Sequence, residues 1–156
     1  MRGVLARLEE ALLALLLLFM VSLAFLNVLT RYLFRYPLAF TEELTVNAFV
    51  WATLLGIAVG LREGREGAHI RFLALTEFLP PPWPRVFIAF GFVATAVLFL
   101  LLAFLSWSQA RDDLSLGAIS PALGIPNAFY TFPTPFLALL VAWRGLEGAY
   151  RAWRFG

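Results

Sequence analysis

The 156-residue chain contains no cysteine, no lysine and one histidine, and charged residues make up only 14% of it. Without cysteine there is no disulfide, no thiolate metal site and no thiol nucleophile. With His69 as the sole imidazole, a haem held by two axial histidines within the chain is excluded, and zinc hydrolysis fails on the same count. The sequence therefore implies no cofactor and no enzymatic activity. Charge is scarce because 62% of the residues are apolar, far more than a water-soluble domain of this length can cover with polar surface.

The apolar residues gather in four charge-free runs: Ala11 to Leu29 (19 residues), Leu44 to Leu61 (18), Val86 to Trp107 (22) and Leu114 to Trp143 (30). Each is long enough to cross a hydrocarbon core of roughly 30 Å, which takes about 20 helical residues. The Leu, Phe and Val side chains of the first run favour insertion by about 4 to 8 kcal/mol, an upper bound because residues near the ends count less. A cleaved signal peptide fits this run poorly. It is too long, Glu9 and Glu10 interrupt a basic leader, and the bulky, charged stretch Asn27 to Tyr36 offers no small-x-small cleavage site. The expected architecture is an all-α membrane protein. It is one four-helix transmembrane domain over residues 1–156, with spans at about 9–30, 43–62, 85–107 and 127–145.

With four crossings, the N-terminus, the connection Arg62 to Arg85 and the C-terminus share one side of the membrane and hold nine of the twelve arginines. The other side holds Arg31, Arg35 and Arg111. Arginine-rich short loops stay cytoplasmic, so both termini are expected inside. The fourth run carries Pro121, Pro126, Pro133 and Pro135, and proline removes a backbone donor and restricts its neighbour. This places Leu114 to Pro126 in an outer loop or re-entrant segment and starts the last helix near Asn127. The connection "HIRFLALTEFLPPPWP" mixes apolar and charged residues as a short interfacial helix does. His69, at its edge, reads as an interface anchor.

A transport or catalytic site inside a membrane normally carries an ionisable group at mid-depth, where a charge costs about 2.5 to 3.5 kcal/mol even on the lenient scale. None of the four runs has one. Their hydroxyl and amide side chains, Ser22, Asn27, Thr45, Asn47, Thr53, Thr95 and Ser106, are expected to bond helix carbonyls or neighbouring helices. Ala52, Gly56, Gly60 and Gly64 recur at fours and make a smooth ridge suited to close helix packing. In the stretch "NVLTRYLFRYPLAFTEEL", Tyr32 and its neighbouring rings belong at the headgroup level. Arg31 and Arg35 share a face if the first helix extends that far. Thr41 is positioned to cap the second helix, and Glu42 and Glu43 suit its first turn. An Arg31 pair with Glu42 or Glu43 is expected to brace the hairpin.

The order Asn27, Arg31-Tyr32, Pro37-Leu38, Thr41-Glu42-Glu43, Trp51, Gly56, Gly60, Arg62, His69-Ile70, then Ser120-Pro121-Ala122-Leu123 with Ile125-Pro126, resembles the small membrane subunit of TRAP (tripartite ATP-independent periplasmic) transporters. The likeness runs over about residues 9 to 143. One departure is that many relatives carry an Asp three or four residues after the histidine, where this chain has Phe72, Leu73 and Ala74. The resemblance implies a bacterial inner-membrane protein that works with a large, sodium-coupled elevator subunit and a periplasmic substrate-binding protein in the import of carboxylated solutes. In that scheme the small subunit is a scaffold or stator, with lipids as its other partner and no nucleic acid. The residues expected at subunit or lipid interfaces are Asn27, Arg31, Tyr32, Arg35, Glu42, Glu43, Trp51, Ala52, Gly56, Gly60, Gly64 and His69. Two other readings stay open: a cofactor-free membrane anchor of a respiratory or redox complex, and a small four-helix exporter, although the latter class needs a membrane-embedded carboxylate.

Overall fold

The computed structural model describes residues 4–36, 38–63 and 83–155, and all of its regular structure is helical. Helix α1 spans Val4–Leu33, α2 Ala39–Glu63, α3 Trp83–Ser115, the short α4 Ala128–Thr131, and α5 Pro133–Phe155. Among the described residues, three helical stretches are long and apolar enough to cross a membrane: Val4–Leu33, Ala39–Arg62 and Val86–Ser115. The 23-residue α5 is a full helix, but Arg144, Glu147, Arg151 and Arg154 populate its second half. The expected interfacial helix, Gly64 and His69 lie outside the described residues.

Every helix end has a local cause. Arg35 takes the left-handed backbone (φ 53°) that glycine usually supplies, and the amides of Phe34 and Tyr36 both turn back to the Thr30 carbonyl. α1 therefore stops at Leu33, and Arg31 and Arg35 do not share a helical face as expected. α2 starts earlier than the sequence suggested. The Thr41 hydroxyl donates to the Leu38 carbonyl (2.6 Å), so Thr41 sits inside the first turn and does not cap it.

α3 closes with a glycine turn in which Gly117 is left-handed (φ 61°), Ala118 N–H reaches the Asp113 carbonyl (3.1 Å) and Gly117 N–H the Leu114 carbonyl (3.4 Å). Helical backbone resumes just after Asn127, as expected. Pro133 opens α5, where its missing N–H has no helical partner to lose.

α1 leans on α2 through a strict three-four seam of its less exposed residues: Ala6, Glu9, Leu13, Leu16, Met20, Leu23, Asn27 and Thr30. α2 packs with its other side on α5, where Leu54, Ala58 and Val141 form the closed core, ringed by Ile57, Leu61, Phe99, Leu137 and Leu140. α3 and α5 make the most extensive contact in the molecule, and the residues between them are small. Ala96, Ala103, Ser106 and Ala110 are buried on α3, as are Ala138, Ala142 and Ala149 on α5. Large apolar side chains point the other way, with Leu15, Leu18, Phe25, Phe90, Phe104 and Trp143 exposed. This inverted distribution suits a lipid environment, where helices gain nothing by hiding leucine and gain contact by letting backbones approach.

Two glycines set the α3–α5 approach, and neither stood out in the sequence. A Cβ on Gly145 would lie 3.2 Å from both Ala96 N and the Phe92 carbonyl oxygen, and one on Gly148 would lie 2.6 Å from the Phe92 ring. Gly148→Ala is expected to destabilise the bundle by about 1 to 3 kcal/mol through overpacking. Phe92→Leu in the same chain should recover much of the loss. Thermal denaturation of the purified variants in detergent, followed by helical circular dichroism, measures both.

Candidate functional site

Polar chemistry is confined to the two ends of the bundle. At the hairpin end, where α1 turns into α2, the loop after α3 folds into a compact knob. Its strands touch at Ile119 and Pro126, and Ser120 N–H bonds the Ile125 carbonyl (2.7 Å). Within the knob, Ser120-Pro121-Ala122-Leu123-Gly124 makes one helical turn. The Ser120 hydroxyl caps Leu123 N–H (3.1 Å), Gly124 N–H returns to the Ser120 carbonyl (2.9 Å), and Gly124 is left-handed (φ 67°).

The remaining free amide of this turn, Ala122 N–H, donates to the Glu43 carboxylate of α2 (3.2 Å). The same carboxylate lies within electrostatic reach of the buried Ser120 and Tyr130 hydroxyls. About two turns further along α2, the Trp51 indole N–H donates to the Tyr130 carbonyl (3.3 Å), so α2 holds both the knob and α4. Thr131 adds a bond to Asp113 (2.9 Å), and Trp107, Phe132 and Phe136 stack at 5.6 to 6.2 Å to fix α4 and the start of α5 on α3.

Glu43 and Trp51 were expected at an interface; the structure places both in contacts inside the chain. The Arg31 brace to Glu42 or Glu43 is not formed among the described residues, because Glu43 turns to the knob instead. Arg31, Tyr32, Arg35 and Glu42 are exposed. Asn27 lines a cleft between α1 and α2 together with Leu23, Thr41, Glu42, Thr45 and Val46. Its Oδ1 is buried without a hydrogen-bond partner.

At the opposite end an ion network joins three helices. Glu9, only 3% exposed, uses one oxygen for Arg62 of α2 (2.7 Å) and the other for Arg144 of α5 (2.7 Å). Glu10 also holds Arg62 (2.5 Å), and Glu147 bonds Arg144 (3.1 Å) and Arg151. Among the described residues, acids and arginines alternate along this network. In the sequence Glu9 and Glu10 stand out only as breaks in a basic leader, Arg144 as an orientation marker, and Arg62 as an orientation marker that also belongs to the family pattern. One signal was present: that orientation put these acids and arginines at the same end of their helices.

Inside the helices, the expected local bonding is formed by five of the seven side chains, Asn27 and Ser106 being the exceptions. Ser22, Thr45, Thr53 and Thr95 hydroxyls donate to the carbonyl four residues earlier at 2.6 to 2.9 Å, as does the Asn47 amide at 2.9 Å. The ridge on α2 divides. Ala52 is buried, whereas a Cβ placed on Gly56 or Gly60 would meet nothing within 4 Å. Val46, Phe49, Thr53, Gly56 and Gly60, spaced at threes and fours, thus make one stripe, bulky at the hairpin end and smooth toward the other. The arrangement can hold helices and present a face. Among the described residues, no acidic or basic side chain lies between Ala11 and Leu29, Leu44 and Leu61, or Val86 and Trp107.

The family described as tripartite ATP-independent periplasmic transporters, DctQ component, matches residues 3–155. A Haemophilus influenzae protein named as a TRAP transporter small permease is 29% identical over 124 residues, covering 77% of this chain and 71% of that protein. The ectoine TRAP transporter small permease protein TeaB of Halomonas elongata is 31% identical over 121 residues, 78% of this chain and 61% of its own length. The C4-dicarboxylate TRAP transporter small permease protein DctQ of Rhodobacter capsulatus is 29% identical over 119 residues, and the chain spans 76% of itself and 51% of that protein. No solved structure matches the chain.

Replacing Glu43 with alanine removes the acceptor for Ala122 N–H, a capping bond worth about 1 kcal/mol. Amide exchange at Ala122 and Leu123 is expected to accelerate by roughly five-fold, the factor that such a loss implies. Exchange in the middle of α3 should stay unchanged, as read by hydrogen–deuterium exchange mass spectrometry.

Proposed function

The chain belongs to the DctQ-component family of TRAP transporters, multi-pass membrane proteins that are transporter subunits and not enzymes, and we propose that it is the stationary frame beside a large, sodium-coupled elevator subunit. Its helices then cross the bacterial inner membrane four times, α5 being the fourth crossing, with both termini in the cytoplasm on the side of most arginines. A periplasmic binding protein delivers the solute. Two relatives are named for ectoine and C4-dicarboxylates, and both solutes carry carboxylates, which supports a carboxylated substrate here as well.

The observation that carries this reading is the open stripe on α2. Gly145 and Gly148 are occupied by α3, so they explain themselves within the chain; a Cβ on Gly56 or Gly60 would meet no atom of the described residues within 4 Å. A smooth stripe left uncovered on a membrane helix is suited to a helix of another subunit. The frame role follows from the polar contacts, which close both ends of the bundle and leave no ionisable group between them. An elevator domain sliding through lipid needs a partner that does not slide with it. Exposed Arg31, Tyr32 and Arg35 at one interface, with Trp143 and Trp153 toward the other, resist tilting and vertical slip.

Copurification of the tagged chain in mild detergent, with identification of its partners by mass spectrometry, tests the assignment. The large membrane subunit is the expected companion, and a redox subunit in its place would refute the proposal. Gly56→Leu with Gly60→Leu should abolish copurification while leaving the melting temperature of the isolated chain unchanged, since no neighbour in the chain is displaced. Arg31→Ala is expected to weaken assembly or uptake.

A further inference from the structure

α1 is the helix least embedded in the bundle. Its seam on α2 is built from Leu13, Leu16, Met20 and Leu23, side chains for which lipid tails compete on equal terms. Ser22 and Thr30 spend their hydroxyls on their own helix. Among the described residues, α1 exchanges side-chain hydrogen bonds with other helices at Glu9 and Glu10, and the bond that reaches α5 comes from Glu9.

We infer that Glu9 is the positioning residue that fixes the free end of α1 against α2 and α5. The other end is tied covalently by the turn at Arg35. With both ends held, α1 has one tilt; with Glu9 neutralised, it can pivot on that turn. Both carboxylate oxygens are engaged and the group is 3% exposed, so the attraction is little screened by water. Glu10, whose side chain is 35% exposed and which among the described residues bonds Arg62 of α2, is the comparison. Losing Glu9 leaves Arg144 with Glu147 alone and an already unpartnered Nε at the bundle's edge.

The absence of native cysteine makes the test direct. Spin labels on Leu8→Cys and Leu146→Cys, both exposed, report the ion-network end, and labels on Tyr32→Cys and Leu116→Cys report the hairpin end. The full chain is measured in lipid nanodiscs by pulsed electron–electron spin resonance. Glu9→Gln should broaden and lengthen the first distance: a pivot of about 10° about Arg35 moves residue 9 by roughly 7 Å, given about 1.5 Å of rise per residue. The second distance should hold.

Glu9→Asp should restore part of the parent distribution, and Arg144→Gln should reproduce the Glu9→Gln result, the double variant being no worse than either. The inference is overturned if Glu9→Gln leaves the first distance unchanged, if Glu10→Gln matches its effect, or if both ends loosen together, which would mean general unfolding.

Discussion

A lipid tail is as apolar as a leucine side chain, and the rest of this structure depends on that constraint. Hydrophobic burial, the dominant force in a soluble bundle, does nothing here to choose one helix arrangement over another. Close contact and hydrogen bonding must do so. The interior is accordingly lined with alanine and glycine, and the leucines and phenylalanines that a soluble protein would hide lie on the outside. An added Cβ would press on the Ala96 and Phe92 backbone at Gly145 and on the Phe92 ring at Gly148.

Because apolar contact is so permissive, a few polar contacts carry the specificity of the arrangement, and the charged ones sit at helix ends. Glu43 ties the knob to α2, and Trp51, midway along α2, ties α4 to it. Glu9 gathers Arg62 and Arg144 from two other helices. Between the ends, the Ser22, Thr53 and Thr95 hydroxyls bond to their own helices. A body joined at both rims and inert in the middle is suited to standing still while another subunit moves.

α2 is the central plank. One side closes the core with α5, one edge supports α1, and the stripe through Gly56 and Gly60 is left open. This explains why glycine occurs in two roles in one short chain. On α5 it is demanded by a neighbour that is present, and on α2 it leaves a smooth stripe with no described atom within 4 Å of an added Cβ. It also explains why short motifs far apart in sequence belong together. Thr41-Glu42-Glu43 and Ser120-Pro121-Ala122-Leu123 meet where Glu43 accepts the Ala122 amide.

Helical class, the apolar stretches and the proline-broken approach to α5 were legible in the residues themselves, because run length, scarcity of charge and missing backbone donors act locally along the chain. The tendency of isolated hydroxyls to bond back onto their helix was legible for the same reason. Partner choice was not. Glu43 faced two arginines in sequence and bonded a loop some eighty positions away, since the left-handed turn at Arg35 ended α1 early and broke the expected alignment. Glu9, which looked like a blemish before an apolar run, became the junction of three helices. Which charges pair, and which smooth faces stay open, depends on distances between segments that no local pattern encodes; only the packed bundle decides them.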